Sequence, residues 1–181
     1  MTSDEVVPSE KVQPMEPVAW RASLPGKRMG AGALIRDPAG RVLVVEPTYK
    51  ESWEVPGGIV EADESPRQAC AREIREELGL EFVPGRLLVH EWQGPEPDRT
   101  ESVMLIFDGG VLPDLDAVTL PVDELRSARF VAAGDLPQLM DERLVRRLHA
   151  ALRALDEPVL VELEHGREVR RTPPHWPHLD R

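Results

Sequence analysis

The sequence predicts an α+β fold, and three observations carry that prediction. Short β-branched runs recur along the chain and are interleaved with helical patterns. The opening order is strand, strand, helix, unlike the regular βα alternation of a doubly wound sheet. Two stretches, 65–78 and 141–155, carry helix boundary signals and amphipathic spacing. A chain of 181 residues, 41% apolar and 30% charged, fits one globular domain with room for a core.

Residues 1–16 are polar, acidic and dotted with prolines, and read as a flexible N-terminal tail. From Met29 the pattern changes. "MGAGALIR" and "VLVVEP" flank "DPAGR", which reads as strand, turn, strand. "SWEVPGG" follows as a short strand or loop. "RLLVHEWQ", "TESVMLIFDGGVL" and "RSARFV" read as further strands, and "GDLPQLM" as a turn or short helix. In "DERLVRRLHAALRAL" the spacing of Leu144, Leu148, Leu152 and Leu155 predicts a helix packed on the core, with Asp141 at its start. "VLVELEHGREV" reads as a hairpin around His165-Gly166, and "RRTPPHWPHLDR" as irregular. The hairpin is compatible with packing on its own domain or on a second copy in a homodimer.

Charge narrows the function. With 33 acidic and 22 basic side chains the formal charge is −11, the wrong sign for a nucleic-acid polymer or an anionic membrane. A small phosphorylated substrate stays open, because bound cations invert the local field. The single cysteine, Cys70, excludes an internal disulfide framework. No signal-like start and no spanning apolar run are visible, so the expected location is the cytoplasm.

The chemistry concentrates in "GGIVEADESPRQACAREIREELGL", residues 57–80. Ser65 suits an N-cap, Pro66 the first helical position, Gln68 a capping box and Gly79 a left-handed C-cap. Cys70 and Ile74 face the expected core. Glu73, Glu76 and Glu77 stand at i, i+3 and i+4 and share one side of the helix. Like charges so placed cost the helix about 0.2–0.5 kcal/mol. Two readings compete: an ordinary solvated glutamate surface, or a site where carboxylates, hard ligands, bind Mg²⁺ or Mn²⁺.

Gly58, Glu64, Arg72-Glu73-Ile74-Arg75-Glu76-Glu77-Leu78-Gly79-Leu80 together resemble the complete Nudix box, with every fixed position filled. A chance match is expected on the order of once in 10⁹ start positions. The flanks "MGAGALIRDPAGRVLVVEP", "WEVPGG" and "ARFVAAGDLPQL" are also similar to the family, so the resemblance spans about residues 17–155, leaving 156–181 as a C-terminal hairpin and tail. It implies an α/β/α sandwich with a mixed sheet and a loop-helix-loop catalytic segment. It also implies cleavage of a diphosphate linkage in a nucleoside diphosphate derivative by divalent-metal-assisted attack of water. By that resemblance Gly57, through its carbonyl, and Glu73, Glu76 and Glu77 are metal ligands. Arg72 and Glu64 tie the loop to the helix. The general base is Glu76 or Glu77, or an acid on a later loop, for which Glu124 in "PVDELRS" is the candidate.

Trp53 and Trp92 are candidates for stacking on a base or ribose, or else partial core. Arg28, with Lys27, is a candidate phosphate contact. Cys70 reads as a small buried apolar group. His165, His175 and His178 are too irregularly spaced for a metal site. Pro95, fifteen residues after Leu80, lies close to a proline of ADP-ribose-cleaving members, although in "QGPEPD" it reads more simply as a loop residue, and a nucleoside triphosphate substrate fits almost as well. The alternative function is a Nudix-fold module that senses a nucleotide without turning it over. The complete box disfavours it.

Overall fold

The structure is a computed structural model that describes residues 16–169. The expected tail, apart from Glu16, and the segment with His175 and His178 lie outside the described residues. The elements in chain order are α1 (Pro17–Ser23), β1 (Arg28–Arg36), β2 (Val42–Pro47), β3 (Gly57–Ile59), α2 (Pro66–Leu78), β4 (Leu87–Gln93), β5 (Ser102–Val111), β6 (Leu125–Val131), a 3₁₀ turn (Ala133–Gln138), α3 (Glu142–Asp156), β7 (Val161–Glu164) and β8 (Arg167–Glu168).

All strands join one mixed sheet in the order β6-β2-β1-β5-β4-β7-β8, with β3 branching from β1. β1 runs parallel to β5 along nearly its whole length. Its other edge is divided. Gly30, Ala31 and Gly32 pair with β3, whereas β2 meets β1 only at Arg36 and Val42 before leaving to pair with β6. The expected strand-turn-strand unit therefore exists, but its arms part at once. The gap between them is filled by the loop that leads into β3: Ala33 N–H donates to Pro56 O at 3.0 Å.

Asp37 builds the turn between β1 and β2. Its Oδ1 accepts from Ala39 N (3.0 Å) and Arg41 N (2.8 Å), and its Oδ2 from Arg41 Nε (2.6 Å). Gly40 completes the turn at φ 78°, where glycine carries no Cβ penalty.

Helices cover both faces, as in a sandwich. On one face Ala69, Cys70, Ile74 and Leu78 of α2 pack against Ala31, Ala33, Leu43, Val45 and Phe107. On the other, Leu144, Val145, Leu148, Ala151 and Ala154 of α3 pack against Leu34, Val42, Val44, Leu88 and Ile106. Leu152 and Leu155 flank that second core, half-buried. Asp141 caps α3, accepting from Leu144 N at 2.9 Å. The C-terminal hairpin packs on its own domain, since β7 extends the sheet parallel to β4. Among the described residues no helix is long and apolar enough to cross a membrane.

Replacing Asp37 with alanine removes three hydrogen bonds to a carboxylate that is only 4% exposed. The expected loss is about 1.5–3 kcal/mol, read as a lower urea midpoint with an unchanged m-value. An unchanged midpoint refutes the turn's role.

Candidate active site

The limits of α2 follow from its sequence. Gln68 N donates to Ser65 Oγ (3.3 Å) and Ser65 N to Gln68 Oε1 (2.8 Å), a reciprocal capping box with Pro66 in the first turn. Gly79 closes the helix at φ 70°. With Ala69, Cys70, Ile74 and Leu78 turned into the core, Glu73 and Glu77 are carried along the flank that overlooks β3.

β3 reaches α2 because it begins with two glycines. Gly57 has φ 142°, and a Cβ there would lie 2.4 Å from Ala31 O on β1. A Cβ on Gly58 would lie 2.4 Å from the Glu73 carboxyl carbon. The resemblance assigns Gly57 a role through its carbonyl alone. Here its missing side chain makes room for β1, and that of Gly58 makes room for Glu73.

Arg72 organises the loop. Its Nε and Nη2 reach Glu64 Oε2 (3.2 Å) and Oε1 (2.8 Å) as a two-pronged pair, and Nη2 also donates to Ile59 O (3.0 Å). Its Nη1 is shared between Glu73 Oε1 and Glu76 Oε2, both at 2.9 Å. The Arg72 guanidinium holds the Glu64 carboxyl below the usual carboxylate range, helped by the Glu61 N–H. Glu76 is half-exposed on the outer side of this cluster.

Glu77 differs. Its Oε2 accepts the Gly57 N–H at 2.8 Å, yet no cation of the protein is bonded to it among the described residues. Burial pushes its pKa up to about 8 against that hydrogen bond, and the negative charges of Glu73, Glu54 and Glu124 add to the rise. Burial also raises Glu73, opposed by Arg72.

Glu73 and Glu77 open into a cavity of about 980 Å³, which Tyr49, Glu54, Gly57 and Glu124 also line. Glu124 is set there by the end of β2, where Thr48 N donates to Glu124 O at 2.8 Å. Among the described residues no three acidic, histidine or cysteine side chains converge as a ready-made metal cage. The donor chemistry nevertheless fits a hard divalent cation. The groups available are carboxylates, the buried one lacks a counter-charge, and Arg72 is already engaged with its three glutamates.

The structure brings Gly57, Glu73, Glu77 and Glu124 to one cavity, with Glu76 and Arg72 immediately behind. It does not bring Arg28, Trp53 or Trp92 to the wall. Arg28 bonds Thr100, and Lys27 pairs with Glu101. The Trp53 ring packs on the α3-side core under the Arg129 guanidinium, 4.3 Å away. Trp92 donates to Glu101 and meets His165 edge-on. Cys70 is buried, which pushes its thiol up to about 12, and it is no nucleophile. Sequence reasoning missed Tyr49, Glu54, Gln93, Arg143, Arg146 and Arg147, all on the cavity wall. The i, i+3, i+4 spacing of the three arginines was visible, as it was for the glutamates.

A family model described as NUDIX domain matches residues 26–155. The chain belongs to the Nudix family. It is 36% identical over 86 residues to a MutT-like protein of Streptomyces ambofaciens, a match covering 45% of this chain and about half (52%) of that protein. It is 33% identical over 108 residues to the phosphatase NudJ of Escherichia coli K12, covering 58% of this chain and 68% of that one. The MutT protein of Methanosarcina mazei Go1 superposes with a TM-score of 0.61 at 25% identity, over 75% of this chain and 100% of that one. The Nudix α+β fold is thus established for the chain.

The state of Glu77 has a measurable consequence. Without metal, its folded-state pKa of about 8 lies above the unfolded carboxyl value near 4.3. Between these the folded state binds more protons, so stability falls as pH rises through the window. Metal-free protein is expected to melt lower at pH 8 than at pH 5.5, and Glu77→Gln to flatten that dependence. A dependence equally steep in the variant refutes the assignment.

Proposed function

We propose that the chain is a pyrophosphohydrolase that uses Mg²⁺ or Mn²⁺ to cleave a diphosphate linkage in a small nucleoside diphosphate derivative, ADP-ribose-like or a nucleoside triphosphate. The observation that carries this reading is the buried, uncompensated Glu77 beside Glu73 and Glu124 in one cavity. Membership of the Nudix family supports the same chemistry.

Glu73, Glu76 and Glu77, with the Gly57 carbonyl, are the residues that would hold the cation. A divalent cation bound there supplies neutralisation of the diphosphate charge and acidification of a bound water. Arg72 is a positioning residue: it fixes the rotamers of Glu73 and Glu76 against the loop. Glu124 lines the cavity from β6's side, which supports its assignment as the group that takes a proton from the attacking water. Glu76 or Glu77 remains the alternative base. A reducing, cytoplasmic setting fits the lone buried cysteine.

The test is product release from ADP-ribose, nucleotide sugars, dinucleoside polyphosphates and nucleoside triphosphates with Mg²⁺ or Mn²⁺. Turnover of one class is expected, falling by about 10²–10⁴-fold in Glu76→Gln, the scale of a lost catalytic group. Chelation should abolish it. Divalent cation binding with no turnover across the panel overturns the hydrolase reading in favour of a nucleotide sensor.

A further inference from the structure

The carboxylates occupy only part of the cavity. From the other face of the sheet, α3 contributes Arg143, Arg146 and Arg147, and β4 contributes Gln93. Arg147 decides the character of this wall. Its side chain is 7% exposed, and its Nε donates to Glu91, a fully buried carboxylate on β4. Neither terminal NH₂ group has a partner among the described residues. Neither is sealed: the sealed, unpartnered side-chain atoms there are Arg36 Nε and Glu91 Oε1. The nearly buried guanidinium of Arg147 lines the cavity and is held through its Nε by an acid.

Its neighbours match it. Arg143 uses one Nη on Glu96 at 2.5 Å and keeps its remaining N–H groups. Gln93 is almost buried, and its Oε1 accepts from Ser102 Oγ at 3.3 Å, which leaves its NH₂ as the group offered. Arg146 donates its Nε to Gly166 O at 3.1 Å and pairs with Glu142, a carboxylate 85% exposed to solvent and hence a weak partner. Arg147, Arg143 and Gln93 offer donors, two of them on permanently charged forks, beside the carboxylates of Asp141 and Glu142, which also line the cavity. A neutral sugar can accept from such donors but brings no charge to meet the guanidinium groups. A phosphate or carboxylate does both.

We propose that Arg147, Arg143 and Gln93 form a subsite for an anionic substituent, phosphate or carboxylate, that the substrate carries in addition to its scissile diphosphate. This rests on the reading that the α2 carboxylates handle the diphosphate. The substrate class narrows accordingly to nucleoside diphosphate derivatives with a second anionic group.

The test is calorimetric binding to the full chain, in chelator so that nothing is consumed. Two pairs differ by the anionic substituent: ADP-ribose 2′-phosphate against ADP-ribose, and UDP-glucuronate against UDP-glucose. The anionic member of at least one pair is expected to bind about tenfold more tightly, one charge-assisted contact's worth. Which pair responds tells phosphate from carboxylate. Arg147→Lys keeps a charge beside Glu91 but loses the fork, and Arg143→Ala changes a more exposed position. Each should bring the members of the pair to within about twofold. Equal affinities in the wild type, no binding of any probe, or selectivity retained in both variants overturns the subsite. Hydrolysis of the same compounds with Mg²⁺ is read separately. Turnover without selectivity removes the subsite alone, and selectivity without turnover removes the hydrolase reading alone.

Discussion

The hydrogen bond from Gly57 N–H to Glu77 is the contact on which the site depends. Gly57 lies so close to β1 that no side chain fits between them, and its amide points to α2. One peptide thus joins the centre of the sheet to the helix that bears the carboxylates. The divided edge of β1 makes this possible. Had β2 paired with β1 along its full length, Pro56 and β3 would have no free donors and acceptors to meet. The parting of the two arms after Asp37 therefore creates both the cavity and the strand that carries its glycines.

Charge is handled by unequal means along one helix. Glu64, Glu73 and Glu76 share Arg72, whose charge offsets their mutual repulsion. Glu77 is left out of this sharing. A backbone amide is a weaker partner than a guanidinium, and burial removes the help of water. Ionised Glu77 is therefore poorly compensated by the protein, and a proton or a cation would compensate it. A surface helix of solvated glutamates would show no such imbalance, because water would compensate every carboxylate alike.

Much of this was legible in the sequence because it is local. The capping box at Ser65, the left-handed Gly79, the shared side of Glu73, Glu76 and Glu77 and the Arg72–Glu76 contact all follow from spacing within one helix. The α+β order of elements was legible for the same reason. What depends on pairing between distant segments was not. Nothing in "SWEVPGG" says that β3 takes the edge β2 vacates, or that Glu54 then faces Glu77. The aromatic residues misled because a tryptophan's stacking surface serves a core as well as a base. Trp53 found Arg129 and the α3-side core, and Trp92 found His165 and Glu101. The arginines of α3 were overlooked because they lie within a run whose leucines already accounted for it.

Glu91 shows why that last omission matters. Burying a carboxylate and a guanidinium together gives little net stability, and apolar residues of similar volume often serve a core better. The Glu91–Arg147 pair sits between β4 and α3, where leucines or methionines would pack without an unpartnered oxygen. As a device for stability it is poorly chosen. As a device for aim it is well chosen, because the acid keeps the arginine charged and fixes its Nε, so the rest of the fork needs no reorganisation to meet a ligand. α2 thus presents Glu73 and Glu77 to the cavity and α3 presents Arg143, Arg146 and Arg147, with a residue of the other sign behind each wall: Arg72 bonded to Glu73, and Glu91 bonded to Arg147. The proposed ligand, a diphosphate with a second anionic group, would be met by the two helices together and by neither alone.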